Sequence, residues 1–304
     1  MRRPMKVLIT GGSGFIGSNL SEYLLSRGHK VSAIGRSSDQ HRIRHKDYRY
    51  IAADTTRPGN WQKEVEEAEA AVNLTGATIF KRWTASYKKI IYDSRILTTR
   101  HVVAALPEGG KITLCSASGA GYYGNRGDDI LKEDEDVGRD FLAGVSRDWE
   151  KEALRAAAKG VRVAVMRFGV VLGKNGGALA KMIPAFKMFV GGSLGSGNQW
   201  FPWMHLEDLM AAILFVVEHQ DVSGPLNFCA PNPIRYRELA KTLGEVLGRP
   251  SFMPAPAFMI RLAMGEFGDV FLNSQRIVPE RLLRHGFGFQ YPDIKGAIQA
   301  VVTG

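Results

Sequence analysis

Cysteine is nearly absent: only Cys115 and Cys229 occur in 304 residues, both inside apolar, strand-like runs. Such a pair excludes a disulfide scaffold and predicts buried thiols in a reducing compartment. Metal-ligand spacings such as C-x-x-C and H-E-x-x-H are missing, so no metal is expected. No apolar run approaches a membrane span, and the stretch from Ala211 to Val217 falls far short of one. Met1-Arg2-Arg3-Pro4 meets a short strand and then glycines, not the longer apolar stretch of a secretory leader, which argues for a soluble, cytoplasmic protein. Internal repeats and low-complexity tracts are lacking as well.

Acid is in short supply. The net charge is +10, which calls for an anionic ligand or partner without naming one. Basic residues gather at Arg42, Arg44, His45, Lys46 and Arg49, and again at Arg276, Arg281, Arg284 and His285. No nucleic-acid motif accompanies them, so a solvated basic face is expected rather than a nucleic-acid surface. Nothing calls for a membrane partner either.

What the chain does have is a glycine-rich turn near its start. Lys6-Val7-Leu8-Ile9-Thr10 reads as a short buried strand. Gly11-Gly12-Ser13-Gly14-Phe15-Ile16-Gly17 follows, and then a helical run whose apolar face carries Phe15, Ile16, Leu20, Leu24 and Leu25. Gly28 suits the helix stop, and Val31-Ser32-Ala33-Ile34 is a second strand. A glycine triplet between strand and helix at the head of a βαβ unit is the context of a dinucleotide fingerprint. Gly11, Gly14 and Gly17 permit a tight turn, and the helix N-terminus receives a pyrophosphate. Ser13, Phe15 and Ile16 then belong to the cofactor-binding set.

The end of the second strand chooses the cofactor. A site for NAD usually carries an acid there. This chain has Gly35-Arg36-Ser37-Ser38, with no acid before Asp39. Arg36 can pair with a 2′-phosphate and Ser37 can donate to it, so NADP(H) is expected.

The spacing G-x-x-G-x-x-G in Thr10 to Gly17 resembles the short-chain dehydrogenase/reductase superfamily, in its extended branch of nucleotide-sugar epimerases and dehydratases. The resemblance runs over nearly the whole chain. It implies an α/β fold: a doubly wound, parallel-sheet Rossmann domain with a smaller, mostly helical C-terminal substrate domain. Residues 1–172 and 201–229 fall to the first, 173–200 and 230–304 to the second. It also implies a small-molecule substrate, a nucleotide sugar among the options. Pairing through two long helices, placed at 85–106 and 141–158, makes a homodimer the expected assembly.

The same resemblance distributes roles. Asp54-Thr55, after a third strand from Tyr48 to Ala53, is matched to the adenine contact, with a turn cap as the alternative. Leu74-Thr75-Gly76-Ala77, after a fourth strand, is matched to the stretch that lies along the cofactor. Arg95 belongs to the helix beside the nicotinamide half, where it holds a phosphate or substrate acid, or else pairs with Asp93. Ser116 and Ser118 stand where a hydroxyl binds the reacting oxygen, with Ser118 the better match. Arg167 and Gly169 match the segment that commonly contacts substrate. Asp208 matches a residue that caps a helix, and Gly176-Gly177 reads as opening a helix to about Phe189.

One departure bears on the reaction. The branch uses Tyr-x-x-x-Lys, in which the tyrosine is the acid/base and the lysine tunes it. Phe141 to Glu150 reads as that helix, with Ala143 at the tyrosine position and Arg147 at the lysine position. Alanine has no proton to give. Arg147 keeps a positive charge, and Tyr122 or Tyr123 is the replacement acid, with Tyr123 the residue assigned. The expected protein is an oxidoreductase or epimerase of atypical site. The alternative is an NADP(H)-binding sensor or interaction module without turnover.

Overall fold

Seven parallel strands form the centre of the computed structural model, which describes residues 3–37, 43–174 and 176–303. They are β1 (Lys6–Thr10), β2 (Lys30–Gly35), β3 (Tyr48–Ala52), β4 (Ala70–Asn73), β5 (Thr113–Gly119), β6 (Arg162–Phe168) and β7 (Gly224–Phe228). Their order across the sheet is β7-β6-β5-β4-β1-β2-β3. The chain therefore leaves β1 in one direction to build β2 and β3, and returns to build β4 on the other side. Between β1 and β4 lies the switch point at which ligands bind in such sheets.

β1 shows why the strands read as unbroken apolar runs. Side chains alternate between faces with period two. Val7 and Ile9 enter one apolar layer, with Leu20 and Leu24 of α1 (Phe15–Ser26). Leu8 enters the opposite layer, with Val102 and Ala153. Those two come from α2 (Ala85–Ala105) and α3 (Phe141–Leu154). Helices cover both faces, so both sides of each strand must be apolar. The α1 layer also receives Leu209 and Ile213 from α4 (Leu206–Glu218).

A third apolar cluster lies beside the sheet. Leu172, Leu179, Phe186, Trp203, Tyr236, Leu239 and Ile298 build it, largely from helices Leu179–Lys187, Tyr236–Leu247 and Ile294–Thr303. Both cysteines are free and buried, as composition predicted. Among the described residues no helix is long and apolar enough to cross a membrane.

Three local expectations need correction. Gly176–Gly177 does not open a helix: it pairs antiparallel with Leu172 and Gly173, and the helix begins at Leu179. Gly177 adopts φ +67°, outside the right-handed helical region, and the Phe15 ring packs on Gly176, where a Cβ would stand 2.2 Å from its Cδ2. Asp208 does not cap α4. His205 does, its Nδ1 accepting from Glu207 N at 3.3 Å. Asp208 instead accepts from the backbone N–H groups of Gln290 and Tyr291 at 2.8 and 2.9 Å, fastening the C-terminal region to α4. Finally, the helix that starts at Phe141 ends at Leu154 and continues as a 3-10 turn, Arg155–Lys159, stopped by Gly160 at φ +73°.

Candidate cofactor-binding site

The turn between β1 and α1 is packed to a tolerance that only glycine meets. Gly11 adopts φ +70°. A Cβ on Gly12 would lie 2.6 Å from the Ala33 Cβ, and one on Gly17 only 2.4 Å from the Gly11 carbonyl oxygen. Gly14 is the N-cap of α1, with no side-chain cap and no acid in the first turn. The helix thus presents its N-terminal N–H groups and positive dipole end without a competing carboxylate, an arrangement built for an anion. Ser13 lies against the end of β2, where a Cβ on Gly35 would meet its Oγ at 2.5 Å.

Arg36 follows directly and is exposed. The Tyr50 hydroxyl donates to the Ser37 carbonyl at 3.0 Å and steadies this edge. Asp54 is exposed too, accepting from Thr56 N at 3.0 Å and Thr56 Oγ1 at 2.7 Å. The Thr56 hydroxyl, with help from the nearby Arg36 and Arg57 charges, holds its pKa below the usual range. Asp54 is thus both a turn cap and a neighbour of Arg36. The Thr55 hydroxyl faces the other way, 2.9 Å from Thr98 Oγ1. Ser38, Asp39 and Arg42 lie outside the described residues.

After β4 the chain closes over the turn. A Cβ on Gly11 would sit 3.0 Å from the Leu74 carbonyl and 3.1 Å from Thr75 N. Thr75 Oγ1 is buried without a hydrogen-bond partner. Gly76 and Ala77 lie against Arg95, whose Nη1 donates to the Ala77 carbonyl at 3.1 Å. Asp93 does not pair with Arg95; it is held by Lys89. The glycine turn, Arg36 and the Leu74–Ala77 segment therefore share one end of the sheet, as the sequence predicted.

The residues expected to carry chemistry are placed differently. Arg167 is 3% exposed and binds Glu150 through two bonds of 2.8 Å. Ser118 Oγ donates to the same carboxylate at 2.6 Å. Tyr123 is fully buried: its hydroxyl accepts from Arg167 Nη1 at 2.9 Å, and the Asn227 Oδ1 and Lys132 carbonyl acceptors lie 2.7 and 3.0 Å away. Burial pushes this phenol well above its ordinary pKa. The cause of the discrepancy is helix phase. Glu150 on α3 faces inward and draws Arg167, Ser118 and Tyr123 into one sealed network, in which no hydroxyl faces open space. Ser116 is equally sealed, accepting from Asn73 Nδ2 at 3.3 Å. Gly169 serves close packing, with the Pro202 backbone 3.1 Å from where a Cβ would be.

Arg147 points outward. It is exposed and bound to Asp148 at 2.9 Å, which in turn accepts from the Tyr92 hydroxyl. Ser146, one position earlier, is buried. Tyr122 is the remaining candidate at the end of β5. It is half-buried, and Arg167 lies 3.5 Å over its ring. Its hydroxyl makes no hydrogen bond among the described residues, whereas that of Tyr123 is fully engaged.

Two features escaped the sequence. Phe80 and Trp83, in the loop after β4, meet Phe141, Phe267 and Phe271 in a chain of aromatic contacts 5.1–6.4 Å apart. These rings close the β4–β5 corner, and no spacing rule links positions so far apart in sequence. Second, a hollow of about 870 Å³ opens near Arg3, Glu69, Lys111, Thr113 and Arg162. It lies at the amino ends of the strands, opposite to where parallel sheets bind ligand. Among the described residues no cluster of His, Cys, Asp and Glu could hold a metal.

Comparison with known proteins agrees with this geometry. Residues 7–228 match the model of the NAD dependent epimerase/dehydratase family, and residues 255–301 match a domain of unknown function, DUF1731. The chain is 41% identical to the Epimerase family protein SDR39U1 homolog, chloroplastic, of Arabidopsis thaliana, over 98% of this chain and 87% of that protein. It is 35% identical to Epimerase family protein YfhF of Bacillus subtilis, over 98% of each. The crystal structure of human epimerase family protein SDR39U1 (isoform 2) with NADPH superposes with a TM-score of 0.87 at 31% identity, over 99% of this chain and all of that one.

Proposed function

The chain belongs to the NAD dependent epimerase/dehydratase family, and on that premise we propose that it is an NADP(H)-binding, epimerase-like reductase with an atypical active site. The observation that carries this reading is the uncapped, acid-free N-terminus of α1 set beside Arg36. The residues fit the cofactor. Glycines leave its path open, Thr75 Oγ1 offers an unused buried hydroxyl, and the human relative was crystallised with NADPH. In this assignment the α1 turn holds the pyrophosphate, Arg36 and Ser37 take the 2′-phosphate, and Asp54 lies on the adenosine side. When bound, the cofactor supplies or accepts hydride.

The chain's own contribution to a carbonyl or alcohol substrate is a proton at the substrate oxygen. General acids of this kind are worth roughly 10²–10⁴ in rate. Tyr122 is the residue we assign to it, because Ala143 has no proton, Tyr123 is sealed and Arg147 is turned outward. The sealing of Ser118 and Tyr123 also favours a second reading, in which the protein binds NADP(H) and does not turn over. Substrate is taken from the family's range of small molecules, nucleotide sugars included.

Fluorescence titration tests the cofactor. NADPH should bind about tenfold more tightly than NADH, or ~1.4 kcal/mol, and Arg36→Asp should erase the difference. Equal affinities in the unaltered protein refute the assignment. A carbonyl and sugar-nucleotide screen separates the two readings. Turnover that falls at least tenfold in Tyr122→Phe supports the reductase, and NADPH binding with no turnover on any substrate supports the sensor.

A further inference from the structure

Neither the glycine turn nor Arg36 accounts for Arg95. It projects from α2 beneath the loop after β4. Its Nη1 donates to the carbonyls of Ala77 and Ile91 at 3.1 and 3.0 Å. Its guanidinium carbon lies 5.2 Å from the Trp149 ring centroid, and a Cβ on Gly76 would stand 2.9 Å from it.

No carboxylate pairs with it among the described residues. Acids near it in the fold are taken: Asp93 by Lys89, and Asp148 by Arg147 and Tyr92. Cations removed from water are ordinarily paired or bound. Part of the side chain still reaches the surface, yet protein surrounds the guanidinium closely enough to bring its pKa down to about 10. It therefore stays charged at neutral pH. Carbonyls hold the Nη1 edge, while Nε and Nη2, which lie 3.3 and 3.0 Å from where a Gly76 Cβ would be, have no hydrogen-bond partner among the described residues. Beside them Thr75 Oγ1 is buried and unpartnered. A buried, unpartnered hydroxyl on the loop and an open guanidinium edge from α2 beneath it point to a ligand that satisfies both.

Topology says which part of the ligand. Arg36 ends β2, on one side of β1, and β4 lies on the other. A dinucleotide crossing the α1 turn with its adenosine toward Arg36 sends its second half past Thr75, Gly76 and Arg95. We propose that Arg95 grips the nicotinamide mononucleotide half of NADP(H). From α2 it supplies the fixed positive charge that Arg147, turned toward solvent, does not supply from α3. A side chain at Gly76 would meet the guanidinium and displace it from this position. This inference rests on the NADP(H) reading above.

Calorimetric titration with two ligands tests it, NADPH and adenosine 2′,5′-bisphosphate, which lacks the nicotinamide half. Losing a charge-assisted hydrogen-bonding group is expected to weaken NADPH by about 10–100-fold in Arg95→Met, and the bisphosphate by less than about twofold. Arg95→Lys keeps the charge without the fork and should show the same split at a smaller size, about 3–10-fold. It decides the matter if the methionine variant fails to fold. Arg36→Asp should weaken both ligands. If the Arg95 variants weaken neither ligand, or both equally, the role given to Arg95 is overturned while NADP(H) binding stands. If the unaltered protein binds neither ligand, the cofactor reading itself falls.

Discussion

Replacing Arg167 by Met should cost stability and spare the cofactor. The side chain makes four hydrogen bonds: two to Glu150 at 2.8 Å, one to Tyr123 OH at 2.9 Å and one to the Glu133 carbonyl at 2.9 Å; Ser118 donates to the same Glu150 carboxylate. Methionine fills the volume but leaves Glu150, 4% exposed, as an uncompensated buried charge. Breaking a buried pair in this way costs about 3–5 kcal/mol. At roughly 2.1 cal/mol/K per residue, unfolding entropy for a chain this long is about 0.6 kcal/mol/K, so the melting temperature should drop by about 5–8 °C. Arg167→Met combined with Glu150→Leu should recover more than half of that loss, because no charge is then stranded. Thermal unfolding followed by circular dichroism, with NADPH titration of each folded variant, measures both quantities. An Arg167→Met protein that melts like the parent yet loses NADPH affinity tenfold would refute the reasoning and return Arg167 to the cofactor.

Gly17→Ala should lower both stability and NADPH affinity, since its Cβ would press on the Gly11 carbonyl at 2.4 Å and both groups are backbone-fixed. The overpacking cost is about 1–3 kcal/mol, read by denaturant midpoint, and an unchanged midpoint would contradict it. Acid should destabilise the fold through His205, whose pKa burial lowers and whose Nδ1 must stay unprotonated to cap α4. A histidine pKa depressed on folding gives stability that is present above about 6.5, its unfolded value, and is lost as pH falls toward the folded value. His205→Asn keeps a cap acceptor and removes this titration, so its melting temperature should fall less than the parent's between pH 7 and 5. Parallel curves would rule His205 out. His29, also lowered by burial, leaves a residual slope in both proteins.

Much of the fold was legible because the relevant physics is local. Alternating burial in a parallel sheet demands unbroken apolar runs, and Lys6–Thr10, Ala70–Asn73 and Arg162–Phe168 supply them. A turn that must pass close to a ligand demands glycines at fixed spacing, and Gly11 to Gly17 supply those. Where long-range packing decides, the sequence was silent or misleading. Gly176–Gly177 pairs with Leu172 and Gly173 and packs under Phe15, some 160 residues earlier, instead of opening a helix. Asp208 was drawn from its helix cap by the backbone of Gln290 and Tyr291.

The site itself divides along the same line, and the division explains the chemistry. The glycine turn and Arg36 depend on neighbours in sequence, and the structure sets them together at one end of the sheet. The catalytic constellation depends on which face of α3 meets the end of β5, a matter of about 100° per residue along a helix. A shift of one position exchanges Ser146 for Arg147 and turns a buried residue into a solvated one. That is why a motif without its tyrosine and lysine could not be placed by spacing alone. Once α3 is seated, Glu150 is committed to Arg167, and the hydroxyls of Ser118 and Tyr123 are committed with it. The arginine set against the loop after β4 belongs to a different helix, and the unengaged hydroxyl to Tyr122. In the reading proposed above, chemistry would draw on those groups and not on the ones the relatives' pattern names.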